Sequence, residues 1–111
     1  MDERREKLLL DAQAAAEAIA VFTTGADGAR FHADALLRSA VERQFEILGE
    51  ALNRLRRADP DWIVGVSEVE KIIGFRNVLA HGYDVIDDGI TWDIVVNKLP
   101  RLQAEIRAML A

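Results

Sequence analysis

Apolar residues recur every three or four positions along most of this chain, the spacing that places them on one face of an α-helix. The first helix is predicted over residues 2–23 and ends before the breaker sequence Thr24–Gly28. The second is predicted over residues 33–58 and ends at Asp59-Pro60-Asp61, because the residue before a proline disfavours helical backbone. The apolar stripes of these two helices comprise Leu8, Leu9, Ala12, Ala15, Ala16, Ile19, Val21, Phe22, Leu36, Leu37, Ala40, Val41, Phe45, Leu48, Ala51, Leu52 and Leu55.

The third helix is predicted to begin at Ser67. Ser67 and Glu70 have the spacing of a capping box, in which each side chain binds the other residue's backbone N–H. The helix should end at His81, with Gly82 as a left-handed cap.

The fourth helix is predicted from about Thr91, and it should kink or split near Pro100 because proline removes a backbone donor. Little strand-like alternation is present. Four amphipathic helices with short connections predict an all-α fold, an antiparallel four-helix bundle.

Composition sets the class of protein. With 111 residues, the chain is expected to form one domain over residues 1–111. Cysteine is absent, which excludes disulfides and thiolate metal sites and is typical of a cytoplasmic protein. No run approaches the roughly 18 apolar residues of a membrane span, so no membrane association is expected. The net charge of −5 argues against general nucleic-acid coating, although a local cleft or one shared between chains remains possible.

Candidate chemistry is concentrated in residues 76–83. Arg76 is a permanent cation suited to phosphate, and His81 can transfer protons near neutral pH. Five residues of helix separate them by about 140° around the axis, so they do not share one face. They could converge if the helix unwinds at Gly82, or if two copies meet at a symmetric interface. From spacing alone, a helix-capping His81 and a surface ion pair of Arg76 are favoured.

A symmetric pair of copies would suit metal-independent RNA cleavage. That reaction needs a base for the 2′-hydroxyl, an acid for the leaving 5′-oxygen and a cation for the charged phosphorane. Two copies of His81 and Arg76 could supply these groups.

Asp84, Asp87 and Asp88 could be imagined as magnesium ligands. Turn formation before the fourth helix is the favoured interpretation, since such residues bind local backbone donors. We therefore expect no metal and no cofactor. His32 has no companion cation at useful spacing and is expected to face solvent.

Gly49 lies in the middle of the second helix, where glycine costs about 1 kcal/mol relative to alanine. Close contact between helices would compensate. Glu46 and Glu50 are spaced for ion pairs with Arg43 and Arg54 of the same helix. We favour these ion pairs over a role for Glu46 and Glu50 in orienting Arg76 of the third helix.

Arg54, Arg56 and Arg57 form a basic cluster near the end of the second helix. The cluster could guide RNA electrostatically, though a solvated helix end is at least as well supported.

The sequence R-x4-H-x-Y at residues 76–83 resembles the motif of HepT-like toxins, which belong to the HEPN superfamily of small helical RNases. Residues 40–51 resemble the family's second-helix signature, residues 72–75 its lead-in to the motif, and residues 92–100 its closing helix. The resemblance covers most of the chain in the family's order.

The resemblance implies a homodimeric, metal-independent endoribonuclease that cleaves tRNA or mRNA at a cleft between two copies. Arg76 would hold the phosphate, His81 would be the general acid and base, and Asn77 would orient the site. The resemblance also implies a type VII toxin–antitoxin system. Its antitoxin, an MntA-like minimal nucleotidyltransferase, would silence the toxin by adding AMP to Tyr83 and could form a larger hetero-oligomer with it. The alternative interpretation is that Tyr83 is a half-buried aromatic side chain and not a modification site.

Two other functions remain open. The chain could be a non-catalytic HEPN module that binds a nucleotidyltransferase or a nucleotide, with Arg76 gripping phosphate without chemistry. It could also be a structural dimerisation domain with a decayed site, which the intact motif disfavours.

Overall fold

The computed structural model describes residues 2–63, 65–82 and 86–111, and for Trp62 it describes the backbone only. These ranges are all-α, as predicted, and contain no strand. The elements are α1 (Glu3–Phe22), α2 (Gly28–Ala33), α3 (Ala35–Ala58), α4 (Pro60–Ile63), α5 (Val69–His81), α6 (Asp88–Asp93), a π-helical segment (Ile94–Lys98) and α7 (Leu99–Leu110).

The helices form a bundle in which α3 packs against both α1 and α5, while α7 packs against α1. The side chains that fill it are apolar and almost fully excluded from solvent, which supplies the main driving force for folding. The largest of them are Phe31, Phe45, Leu9, Ile19, Leu48, Leu52, Leu55, Ile72, Ile94, Leu99, Leu102 and Ile106. In the described ranges, no helix is long and apolar enough to cross a membrane.

Three residues of the predicted apolar stripes of the first two helices are exposed. Val21 and Phe22, in the last turn of α1, are 69% and 42% exposed, and Leu36 is 81% exposed. Leu36 precedes the buried Leu37 by one residue, which turns it by about 100° away from the core. Apolar periodicity therefore included these three residues wrongly.

The ends of α1 agree with the prediction. The Asp2 side chain accepts a hydrogen bond from the backbone N–H of Arg5 at 2.8 Å, which caps the helix. After α1, Gly25 has a φ of +76°, a conformation that glycine adopts without steric strain.

The segment before α3 differs from the prediction because α2 is a separate short helix. Asp34 ends α2 and begins α3: its backbone is extended, and its carboxylate accepts a hydrogen bond from the N–H of Leu37 at 3.0 Å. The predicted start at residue 33 thus falls one residue inside the preceding helix. Asp59 ends α3 before Pro60, as predicted.

The predicted capping box at the start of α5 is wrong. Glu68 is the N-cap residue, with a left-handed φ of 67° and no side-chain capping bond. The Ser67 hydroxyl instead donates to a carboxylate oxygen of Glu105 in α7, and the Ser67 N–H donates to the other oxygen at 2.6 Å. Ser67 therefore bonds to Glu105, which is distant in the sequence, and not to the nearby Glu70.

The predicted interruption near Pro100 is present as a change of helix type. The π-helical segment separates α6 from α7, and Pro100 lies in the first turn of α7. Since proline has no N–H, it cannot make a helical bond to the preceding turn.

Candidate active site

Helix α5 carries the candidate arginine, and two polar side chains hold its guanidinium in place. Arg76 Nη2 lies 2.8 Å from Glu50 Oε2 of α3, and Arg76 Nη1 donates to Asn77 Oδ1 at 3.0 Å. The Arg76 and Glu50 side chains are 27% and 30% exposed, so the ion pair is partly shielded from water. The contact with Asn77 is a hydrogen bond between neighbouring residues of α5, and the orienting role of Asn77 stays a prediction.

Gly49 permits α5 to approach α3 at the position of Arg76. A Cβ atom at residue 49 would lie 2.3 Å from Arg76 Cβ and 3.3 Å from the carbonyl oxygen of Ile72. Real side chains do not tolerate the first of these distances, so the contact requires glycine. The expected close helix contact at Gly49 is therefore confirmed.

Glu50 forms two ion pairs, and only the one within α3 was favoured from the sequence. Its Oε1 accepts a hydrogen bond from Arg54 Nε at 2.9 Å, which is the predicted pair. Its second oxygen binds Arg76, so the orienting contact that sequence reasoning disfavoured is present as well. Glu46 pairs only with Arg43 among the described residues, at 3.5 Å.

His81 is the last residue of α5, and its side chain is exposed. No hydrogen bond or ion pair of the imidazole occurs among the described residues. The following Gly82 has a φ of −128°, so the predicted left-handed cap is wrong. Its N–H donates to the Val78 carbonyl oxygen at 2.7 Å and completes the last turn.

Arg76 and His81 thus lie in different environments, although the same helix carries both. Arg76 is anchored against α3, while His81 stands at the exposed end of α5, and the structure describes no contact between them. The predicted modification site Tyr83 and the carboxylate of Asp84 lie outside the described residues.

Asp87 and Asp88 have structural partners. Asp87 caps α6 by accepting a hydrogen bond from the N–H of Gly89 at 2.7 Å, as the turn interpretation predicts. Asp88 Oδ2 lies 2.9 Å from His32 Nδ1, and the His32 side chain is nevertheless 79% exposed, as expected. Across residues 2–63, 65–82 and 86–111, no group of three or more His, Cys, Asp or Glu residues could hold a metal.

The carboxyl group of Glu42, on α3, has a raised pKa. Burial raises the pKa of Glu42, and the Asp88 carboxylate raises it further.

A groove of about 480 Å³ runs between α1 and α3, and Arg76 is one of its lining residues. Leu8, Ala15 and Ile47 form part of its apolar floor, and Glu50 and Arg54 stand on its α3 side. Sequence reasoning did not find this groove, because only the packing of α1 against α3 creates it. The signal available was the spacing of residues 43, 47, 50 and 54 along one face of α3.

The sequence profile of one family, described as ribonuclease HepT-like, matches residues 12–109. The chain belongs to the HepT-like ribonuclease family. As a member of this family, it is an endoribonuclease that acts on RNA.

Curated relatives of this HepT-like chain carry names of the same kind. It is 32% identical over 107 residues to Putative RNase MJ1380 of Methanocaldococcus jannaschii, covering 96% of this chain and 97% of that protein. It is 30% identical over 80 residues to Putative RNase TTE0752 of Caldanaerobacter subterraneus subsp. tengcongensis, covering 72% of this chain and 70% of that protein. No solved structure matches the chain significantly.

Proposed function

We propose that this HepT-like chain is the toxin of a type VII toxin–antitoxin pair and cleaves tRNA or mRNA without a metal ion. The observation that carries the proposal is the contrast within α5. Glu50 and Asn77 hold the Arg76 guanidinium in place. Five residues later His81 stands exposed at the helix end, available for proton transfer. A fixed cation and an accessible imidazole are the groups that RNA cleavage requires.

In the proposed reaction, one His81 removes the proton of the ribose 2′-hydroxyl. The 2′-oxygen then attacks the adjacent phosphorus, and the bond from phosphorus to the 5′-oxygen breaks. A second imidazolium protonates the departing 5′-oxygen. The products are a 2′,3′-cyclic phosphate and a 5′-hydroxyl, and no metal or redox partner is consumed.

Arg76 stabilises the negative charge that develops on the phosphoryl oxygens. Two of its nitrogens already have partners in the single chain. A guanidinium has five N–H donors, so donors remain for phosphate.

Two copies of the chain are needed because one chain supplies one histidine at the motif. We propose a homodimer in which the two α5 ends face each other across a cleft. That arrangement places two imidazoles beside one phosphodiester and resolves the divergence of Arg76 and His81 on a single helix.

The proposed off-switch is Tyr83, two residues after His81. An MntA-like nucleotidyltransferase would attach AMP to its hydroxyl, and the added anion would fill the cleft and repel substrate phosphates. Support for this step comes from the intact R-x4-H-x-Y sequence.

Expression with and without the neighbouring reading frame tests the toxin–antitoxin assignment. Expressed alone, the chain should arrest growth. Expressed with a neighbouring nucleotidyltransferase, it should be harmless and heavier by one or more AMP units, and Tyr83→Phe should remain toxic and unmodified. Harmless expression of the chain alone would contradict the toxin assignment.

Membership in a ribonuclease family argues against the non-catalytic interaction module. The pairing of Arg76 with Glu50 does not exclude phosphate binding, because donors of the guanidinium remain.

A further inference from the structure

We propose that Arg4 and Arg57 form a binding subsite for RNA phosphates at a distance from the cleaved bond. The inference rests on the proposed cleavage of RNA and extends it to residues outside the R-x4-H-x-Y sequence. Arg4, Arg54 and Arg57 line a cleft of about 300 Å³ where the start of α1 meets the end of α3. We call it the basic cleft.

Arg4 and Arg57 differ from the arginines beside them in the sequence. Both are exposed, and neither forms an ion pair with any residue that the structure describes. The neighbouring Arg5, by contrast, binds Asp2 at 2.9 Å and Asp59 at 2.7 Å.

Arg56 is also engaged, on another side of α3. It lies 2.7 Å from Glu70 Oε1 and donates to Asn53 Oδ1 at 3.0 Å. The structure thus separates the arginine cluster of α3 into a paired Arg56 and an available Arg57. Two cations without a described ion pair in one cleft leave positive charge there that can attract an anionic ligand, although the net charge of the chain is −5.

The acidic residues of the adjoining groove do not neutralise the basic cleft. Asp11 binds Lys7 at 3.0 Å, and Glu46 pairs with Arg43. Glu50 is shared between two arginines. On α1, Glu3 and Glu6 are turned by about 100° and 200° from Arg4 and face other directions.

Continuity with the candidate active site favours RNA as the ligand. Arg54 lines both the basic cleft and the groove between α1 and α3, and Arg76 lines the same groove. From Gly49, which contacts Arg76, to Arg57 is eight residues of α3, or roughly 12 Å along the helix axis. At about 3.4 Å per nucleotide of a stacked strand, three or four nucleotides cover this distance. An RNA strand held at Arg76 can therefore reach the basic cleft along the groove.

Binding of a non-cleavable RNA tests the proposal. The probe is a fluorescent, fully 2′-O-methylated oligoribonucleotide of about 12 nucleotides, measured by anisotropy over a range of salt concentrations. The double variant Arg4→Gln/Arg57→Gln should bind about tenfold more weakly. Its slope of log affinity against log salt should fall in magnitude by about 1.4, or 0.7 for each lost phosphate contact. An unchanged affinity and slope would overturn the proposal.

Arg57→Gln and Arg30→Gln form a matched pair. Arg30, on α2, is exposed and has no described ion pair. Its substitution therefore removes the same charge as Arg57→Gln and should have the same effect on stability. It lies near the other end of α3 from the basic cleft. Arg57→Gln should weaken binding and Arg30→Gln should not, whereas equal losses would show a response to net charge alone and contradict a local subsite.

Cleavage of two substrates separates this inference from the proposed function. A dinucleotide is too short to reach the basic cleft, so Arg57→Gln should cleave it like the wild type while showing a raised KM on a longer RNA. A wild type that cleaves neither substrate would refute the proposed function and leave the anisotropy result to decide the subsite. Competition by a polyglutamate peptide as strong as that by RNA would overturn the assignment to RNA and indicate an acidic protein partner.

Discussion

Gly49 of α3 and Arg76 of α5 lie so close together that no side chain fits between them. A Cβ atom at residue 49 would lie 2.3 Å from Arg76 Cβ and 2.8 Å from its Cγ. The next residue of α3, Glu50, binds the guanidinium of the same arginine at 2.8 Å. Two consecutive residues of α3 therefore determine where the candidate phosphate-binding side chain lies.

Gly49→Ala should destabilise the fold and impair cleavage. The added methyl group must push α5 away from α3, and overpacking of this kind typically costs 1–3 kcal/mol, so we expect a loss of about 2 kcal/mol. Denaturation by urea, followed by circular dichroism, measures the change in the free energy of unfolding.

Gly74→Ala is the matched control. Gly74 also lies inside a helix, but a Cβ atom added there would meet no atom of a neighbouring element within 4 Å. The higher helix propensity of alanine should therefore stabilise the protein by up to about 1 kcal/mol. Equal effects of the two substitutions would show that the contact with Arg76 is not the cause.

Glu50→Gln should lower kcat by about tenfold without raising KM. The substitution removes a charge-assisted hydrogen bond, worth about 1.5 kcal/mol, that fixes Arg76, while the guanidinium keeps its attraction for phosphate. Steady-state cleavage of an oligoribonucleotide separates the two constants. Glu46→Gln removes the same charge from the same helix but does not touch Arg76, and it should leave both constants near the wild-type values. A raised KM with unchanged kcat for Glu50→Gln would argue against positioning.

The contact between Ser67 and Glu105 should make stability depend on pH. Burial raises the pKa of Glu105, but hydrogen bonds from the Ser67 hydroxyl and N–H, together with the Arg101 guanidinium, outweigh it and leave that pKa below its ordinary value. The ionised carboxylate therefore stabilises the folded state above the pKa of the unfolded chain, and this contribution disappears as pH falls through the lower folded pKa. Relative to wild type, Glu105→Gln should be about 1 kcal/mol less stable at pH 7 and nearly equal in stability once the pH has fallen below the folded pKa of this carboxyl group. A difference that stays constant with pH would refute this origin.

Mixed dimers should reveal whether both histidines act on one phosphodiester. Wild-type and His81→Ala chains are mixed under conditions that exchange subunits, and cleavage is measured at constant total protein. If two copies of His81 are required, activity follows the square of the wild-type fraction, so an equal mixture retains about one quarter of it. Retention of about one half would show that each chain acts independently.

The sequence predicted those features that depend on neighbouring residues. The extent of α1 and the end of α3 before Pro60 were predicted, because local backbone chemistry determines both. The close helix contact at Gly49 was also predictable, since a glycine inside a helix needs compensation.

Choices between alternative partners were not predictable from the sequence. Ser67 could have bonded to Glu70 in its own helix, but the packing of α7 offers it Glu105 instead. Glu50 could have served Arg54 alone, and only the approach of α5 at Gly49 brings Arg76 within reach. The partner that a side chain binds depends on how whole helices pack, and the spacing of residues along one helix carries no information about that packing.

Cleavage by His81→Ala tests the proposed chemistry most directly. Purified wild-type and variant proteins are incubated with total tRNA and an mRNA transcript in the presence of EDTA, and circular dichroism verifies that both are folded. The wild type should cleave and leave 2′,3′-cyclic phosphate ends, while the variant should lose activity by at least about a hundredfold, as expected for loss of a general acid and base. Full activity of folded His81→Ala, or cleavage by the wild type only when a divalent metal is supplied, would contradict the proposal.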